Sequence, residues 1–129
     1  MKLDHAALLI ADPERSRAFY VGVLGLPEVP RPETFEFPGL WLQIGEQQLH
    51  LIGELTNGRA REVYSDDELS GGFTSHFAIE VDNLDATVAA LKANGGELVG
   101  GPRPRGDGVM QAYISDPDGH VVELMQVGG

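Results

Sequence analysis

The chain contains one pattern twice. At an offset of 71 residues Leu8 meets Ile79, Ile10 meets Val81, Asp12 meets Asn83 and Gly25 meets Gly96. Apolar strand positions fall on apolar strand positions, and a helix-capping residue falls on another. A period this long, seen only twice, describes a duplicated module, because solenoids stack shorter units many times. Whatever one half folds into, the other half must be able to fold into as well. The 129 residues suit one domain with a genuine core, made of those two copies.

Each copy reads strand, helix, strand, strand, strand. In the first, Lys2 to Ile10 alternates, with Leu8 and Ile10 on one face and His5, Ala7 and Leu9 on the other. Asp12 then caps a helix that has Pro13 at its first position and Glu14 in its first turn. Phe19, Tyr20, Val23 and Leu24 supply its apolar stripe, and Gly25 ends it. A proline-rich link, Pro27 to Pro32, leads to strands predicted at Thr34–Pro38, Leu40–Ile44 and Gln47–Ile52, the last two joined at Gly45-Glu46.

In the second copy a strand is predicted over Thr74–Val81, with Phe77, Ile79 and Val81 opposite His76. Asn83 caps a helix striped by Leu84, Val88 and Leu91, which Gly95 and Gly96 end. Strands over Glu97–Val99, Met110–Ser115 and His120–Val127 follow, with a Gly/Pro/Arg loop between the first two. Asp116 to Gly119 reads as a type I turn with Pro117 at its second position. Between the copies, Gly53 to Gly72 is polar and reads as a solvated linker, with a lid over a site as the sharper alternative. The expected division is module 1 over 1–56, linker over 57–72 and module 2 over 73–129.

Composition narrows the partners. A net charge of −11 and a pI near 4.5 argue against a nucleic-acid or anionic-membrane surface. The absence of cysteine excludes disulfides, a thiolate metal site and a Cys nucleophile. No run approaches the roughly 18 apolar residues of a membrane-spanning helix, and Asp4 and His5 interrupt any signal-peptide apolar region. The expectation is a soluble cytoplasmic protein.

The chemistry lies in four interruptions of apolar strands. In the last strand Val122 and Leu124 share one face, while Val121, Glu123 and Met125 share the other. A charge isolated there costs several kcal/mol on burial, so Glu123 requires a cation, a proton or water. His5, His50 and His76 each sit inside a short strand-like run. Singly, such a histidine is ordinarily a satisfied core or surface residue. The spacing changes this, because His5 to His76 spans 71 residues and His50 to Glu123 spans 73. The four make two pairs in two copies of one unit. If the first and last strands of a copy are neighbours, each copy presents two of them on one sheet face. Two copies facing each other would converge three imidazoles and one carboxylate, a set suited to Zn, Ni, Mn, Fe or Co with room left for substrate. Glu54, two strand steps beyond His50, is a competing ligand, although the repeat register favours His50. His120 faces away from Glu123 and reads as a turn residue.

Over nearly its whole length the chain resembles the vicinal-oxygen-chelate superfamily, also called glyoxalase/bleomycin resistance/dioxygenase. The resemblance is carried by LDHAALLIADPERSRAFYVGVLGL, QQLHLIGE, SHFAIEVDNLDATVAAL and YISDPDGHVVELMQ. It implies an α+β fold of two βαβββ modules forming a cup-shaped mixed β-sheet around a divalent metal. It also implies homodimers, some with sites built across the subunit interface, and ligand positions at His5, His50, His76 and Glu123. Bacterial glyoxalase I looks similar in its opening and its DPDG turn. It has a Glu at the position of His50, and an arginine that holds the glutathione carboxylate at the position of Leu9; both departures count against a glutathione hemithioacetal. Extradiol dioxygenases carry a tyrosine ten residues before the ligand carboxylate, as Tyr113 stands to Glu123, but also an upstream histidine that is missing around Met110. Fosfomycin-resistance thiol transferases share three ligand positions, yet their substrate-binding threonine is Ala7 here. Bleomycin-type binding proteins lack the ligands.

The resemblance therefore implies a metal-dependent enzyme whose substrate presents two vicinal oxygens. Glyoxalase-like lyase or isomerase proton transfer stands first, with Glu123 as both ligand and base. The alternative is a ring-cleaving dioxygenase using Fe(II), in which Glu123 holds iron and Tyr113 assists. A thiol transferase or a non-catalytic drug-binding protein are further alternatives.

Overall fold

The computed structural model describes residues 1–54 and 64–128. The chain forms two compact units, Met1–Arg61 and Glu62–Gly129. Part of the polar stretch expected to link the copies, residues 55–63, lies outside the described residues, and so does that part of the lid expectation.

The first unit contains β1 (His5–Leu9), α1 (Pro13–Arg17), β2 (Glu28–Val29), β3 (Gly39–Ile44) and β4 (Gln47–Ile52). The Asp12 side chain accepts hydrogen bonds from the Glu14 and Arg15 amides and so starts α1. The helix then widens over Ala18–Val23, where Leu24 N donates to Phe19 O, five residues back. Widening rotates the apolar stripe, so Phe19 and Tyr20 are buried while Val23 and Leu24 are only partly covered. Gly25, at φ +75°, supplies the left-handed end.

The second unit contains α2 (Asp66–Gly71), β5 (His76–Glu80), α3 (Leu84–Ala93), β6 (Leu98–Pro104), β7 (Val109–Ser115) and β8 (Val121–Val127). Asn83 caps α3, and Leu84, Val88 and Leu91 are its buried residues. The Leu84 amide also donates to Gln126 Oε1 at 2.6 Å, tying the start of the helix to β8. In the turn before β8, Gly119 N donates to Asp116 O, while the Asp118 and His120 amides donate to Asp116 Oδ1.

Both sheets have the same order, β1-β4-β3-β2 and β5-β8-β7-β6. In each, the first and last strands pair in parallel and the remaining pairs are antiparallel. The register repeats as well, with Ala7 opposite His50 and Ala78 opposite Glu123. One sheet face carries the core: Leu40, Leu42, Leu49 and Leu51 in the first unit, and Ala112, Ile114, Val122 and Leu124 in the second. In the second, α3 packs on β7 and β8. This is the α+β architecture of paired βαβββ modules.

Four local expectations fail. Thr34–Pro38 forms no strand. Its alternation is local, and the free edge of β3 is taken instead by Glu28 and Val29, opposite Leu42 and Trp41. The strand predicted at Glu97–Val99 extends to Pro104, because register shifts let the Gly/Pro segment stay paired with β7. The polar stretch also holds a helix, α2, started by a capping box in which Ser65 and Glu68 satisfy each other's amides. Glu54 is not two steps along a strand from His50: β4 ends at Ile52, and Glu54 is exposed beyond Gly53.

Candidate functional site

Each unit brings one predicted pair together. In the first, β1 and β4 are neighbours, so His5 and His50 stack with ring centroids 4.1 Å apart. Trp41, opposite His50 on β3, stacks on its other side at 3.9 Å and 3°. His5 Nδ1 lies 2.8 Å from Asp4 Oδ2. In the neutral ring, an Nδ1–H donated to that carboxylate leaves Nε2 with its lone pair, the usual support of a metal-ligating histidine. The same contact holds the Asp4 carboxyl below the ordinary carboxylate range. His50 Nε2 lies 2.9 Å from Gln48 Oε1, which can only accept, so Nδ1 is the free nitrogen. Burial, and then the charge of His5, push the pKa of His50 down, against the pull of Asp4. A neutral imidazole is the ligating form.

In the second unit, β5 and β8 are neighbours. His76 Nε2 lies 3.2 Å from Glu123 Oε2. His76 Nδ1 lies 2.9 Å from the Thr74 carbonyl, an acceptor only. In the neutral ring this leaves a lone pair on Nε2 facing a carboxylate oxygen. Two lone pairs at that distance need a proton or a metal ion between them, with metal bonds of ~2.0–2.2 Å; in the other tautomer the Thr74 hydroxyl, 3.4 Å from Nδ1, donates to the ring and Nε2–H donates to Glu123. Glu123 is only 5% exposed. Its other oxygen, Oε1, accepts from Gln111 Nε2 at 2.6 Å, and the same amide donates to the Tyr113 hydroxyl at 3.0 Å. The Tyr113 ring meets His76 edge-on at 5.7 Å. Burial, and then the Glu123 charge, raise the Tyr113 pKa, with Arg103 opposing. The phenol therefore stays protonated, and its oxygen accepts from Gln111. Arg103 sits 5.4 Å from the Tyr113 ring centroid and donates to the Ser70 carbonyl at the end of α2.

The donor set of each pair fits a divalent ion: a free imidazole nitrogen with a second imidazole, and a free imidazole nitrogen with a carboxylate. Among the described residues no group of three or more ligand-type side chains is assembled. Tyr113 adjoins the second pair. His120 lies in the turn, its amide held by Asp116. Sequence reasoning missed Gln111. The signal was available, because the turn at Asp116–Gly119 sets Tyr113 opposite Glu123 and Gln111 opposite Met125, on the Glu123 face.

The first unit also has a cavity of about 430 Å³ beside its pair, walled by Phe35, Phe37, Trp41 and Ile52, with Asp4 and Gln48 near the histidines.

Known proteins share this arrangement of strands. The chain is 30% identical over 129 residues to the lactoylglutathione lyase of Salmonella typhimurium, covering 98% of this chain and 93% of that one. It is 32% identical over 130 residues to an Arabidopsis thaliana protein named as a probable chloroplastic lactoylglutathione lyase, covering 98% of this chain but 36% of that protein. A crystal structure of a glyoxalase family protein from Bacillus anthracis superposes with a TM-score of 0.76 at 25% identity, covering 98% of this chain and 95% of that one. Among the described residues no helix is long and apolar enough to cross a membrane. The family model that matches runs from residue 2 to residue 124, through both units and both residue pairs, and the chain belongs to the Glyoxalase/Bleomycin resistance protein/Dioxygenase superfamily.

Proposed function

We propose that the protein is a metal-dependent enzyme that moves a proton on a small substrate bearing two vicinal oxygens, with His5, His50, His76 and Glu123 holding the ion. The observation that supports this most is the repeat itself. Matching register positions of the two units carry ligand-type side chains, and in each unit the two touch. When bound, Zn, Ni, Mn, Fe or Co supplies Lewis-acid stabilisation to negative charge on the substrate oxygens.

The chain's own residues do the rest. Glu123 takes the proton from the substrate carbon, as the only carboxylate of the four. Gln111 holds Oε1, which leaves Oε2, on the His76 side, as the working oxygen. Val121 is buried beside Glu123, and such apolar flanks keep water off the carboxylate and strengthen its charge interactions. The relatives' name supports a lyase, but Leu9 and His50 count against the glutathione hemithioacetal as substrate. The protein works as a cytoplasmic homodimer in this reading.

Tyr113 supports a second reading, Fe(II)-dependent ring cleavage, because its protonated phenol lies beside His76 and shares Gln111 with Glu123. Two assays separate the readings. Proton transfer predicts turnover of a thiol adduct of methylglyoxal or phenylglyoxal with Ni(II), Co(II) or Zn(II). Ring cleavage predicts oxygen uptake on catechol with Fe(II). Silence in both, with full metal binding, would favour a thiol transferase or a non-catalytic binder. Replacing His76 by Ala should remove most bound metal from protein that stays folded, and full metal content in that variant would overturn the site.

A further inference from the structure

The cavity of the first unit is divided by chemistry. One end is apolar and aromatic, formed by Phe35, Phe37, Trp41 and Ile52; the other holds the His5–His50 pair with Asp4 and Gln48. The aromatic end is built in advance. Arg31 donates to the Phe37 carbonyl at 2.8 Å and lies 5.4 Å and 6.0 Å from the Phe37 and Phe35 ring centroids. Phe35 packs on Phe37 at 4.9 Å and presents its ring edge-on to Trp41 at 5.7 Å. Trp41 is fixed in turn by its stack on His50. Phe35 and Phe37 are nevertheless 36% and 45% exposed. Rings held this firmly and left partly in water are suited to receive another ring, because edge-to-face and offset contacts reward a planar π-system beyond its area. A cavity of about 430 Å³ takes a small molecule.

We infer that the cavity seats a planar aromatic group of the substrate, so that the carbons bearing the vicinal oxygens are attached to an aryl ring and not to a methyl group. The inference rests on the proposal that His5 and His50 help hold the ion that the substrate's vicinal oxygens meet. The seat itself needs no metal and is tested without it.

Trp41 is the only tryptophan, so its fluorescence reports on the seat directly. Three neutral probes share the vicinal oxygens and differ only in their tail: 1-phenylethane-1,2-diol, 1-cyclohexylethane-1,2-diol and propane-1,2-diol. In the metal-free protein, the phenyl diol should change Trp41 emission and bind about threefold to tenfold tighter than the cyclohexyl diol, the range that aromatic pairs add. Propane-1,2-diol should bind more weakly still. The Phe35→Ala/Phe37→Ala protein, whose two substitutions lie at the surface, should lose the phenyl preference. Equal affinities, no binding of any diol, or a preference that survives the double substitution would overturn the seat. So would a switch from dimer to monomer in the double variant with diol binding unchanged, which would assign the two rings to a second copy of the chain. Failure of the metal-site reading looks different: the phenyl preference persists, while His76→Ala leaves bound metal unchanged.

Discussion

The two units share strand order, strand direction and register, yet their paired residues live in different surroundings. His50 has Trp41 opposite it across the hairpin, and Glu123 has Tyr113. Two positions before the aromatic, the first unit has Gly39 and the second has Gln111. A Cβ on Gly39 would run into the Leu51 carbonyl oxygen, so that position has no room for a side chain. In the second unit it carries the amide that holds Glu123. The polar neighbour of His50 is Gln48, whereas the residue at that strand position beside Glu123 is the buried Val121. The first unit offers two stacked imidazoles beside an open aromatic wall. The second buries a carboxyl group, with the Gln111 amide on one oxygen and the His76 ring on the other. The repeat fixes where the paired side chains stand, and their neighbours set each pair's surroundings.

The largest expected effect lies in the second unit. Glu123→Gln keeps the shape and an oxygen ligand but loses the base, so kcat should fall at least ~100-fold, the usual scale of general acid–base catalysis, with metal partly retained. His50→Gln, at the matching position, should weaken metal binding and leave kcat at saturating metal much less affected. Equal kcat losses would erase the division of labour. Under the ring-cleavage reading Glu123→Gln instead loses chiefly iron affinity.

Gln111→Leu comes next. It frees Glu123 Oε1 and removes the donor to Tyr113, and loss of such a supporting contact costs roughly 10- to 100-fold in metal affinity. Gln48→Leu, beside His50 in a less buried place, should cost less when both are measured by Co(II) titration.

A smaller effect is expected with pH. The folded pKa of His50 is depressed below its ordinary value of 6.5, so the folded state binds fewer protons than the unfolded state at mildly acidic pH. This residue's contribution to stability is then present above about pH 6.5 and lost as pH falls through the folded value. Urea midpoints measured across that window should drop for the wild type and drop less for His50→Gln. A wild-type midpoint that rises on acidification would contradict the assignment.

The smallest effect should be the same in both units. Asp12→Ala and Asn83→Ala each remove an N-cap and should each cost about 1 kcal/mol by chemical denaturation.

Most of this fold was legible because one half checks the other. Caps and core positions at an offset of 71 fixed the repeat, and strand alternation put Glu123 on the face away from Leu124. What could not be read depended on partners distant in sequence. Thr34–Pro38 alternates like a strand, but Arg31 and a Pro32–Phe35 turn bond hold that segment in a loop, while β2 owes its two residues to pairing with β3. Helix α2 has no apolar stripe, and only its Ser65–Glu68 capping box announces it. Of the site, the two pairs and the nearness of Tyr113 were readable. Gln111 was not singled out, since a polar residue in a strand acquires meaning only once the hairpin register places it beside a buried carboxylate.

The central claim is that the two pairs act as one metal site. Co(II) titration of the wild type, His50→Ala and His76→Ala, with stoichiometry read from the visible absorption, tests it most directly. One ion per chain in the wild type, with binding collapsing in either single variant, is the predicted result. Two ions per chain lost one at a time, or a full complement of metal in either variant, would contradict it.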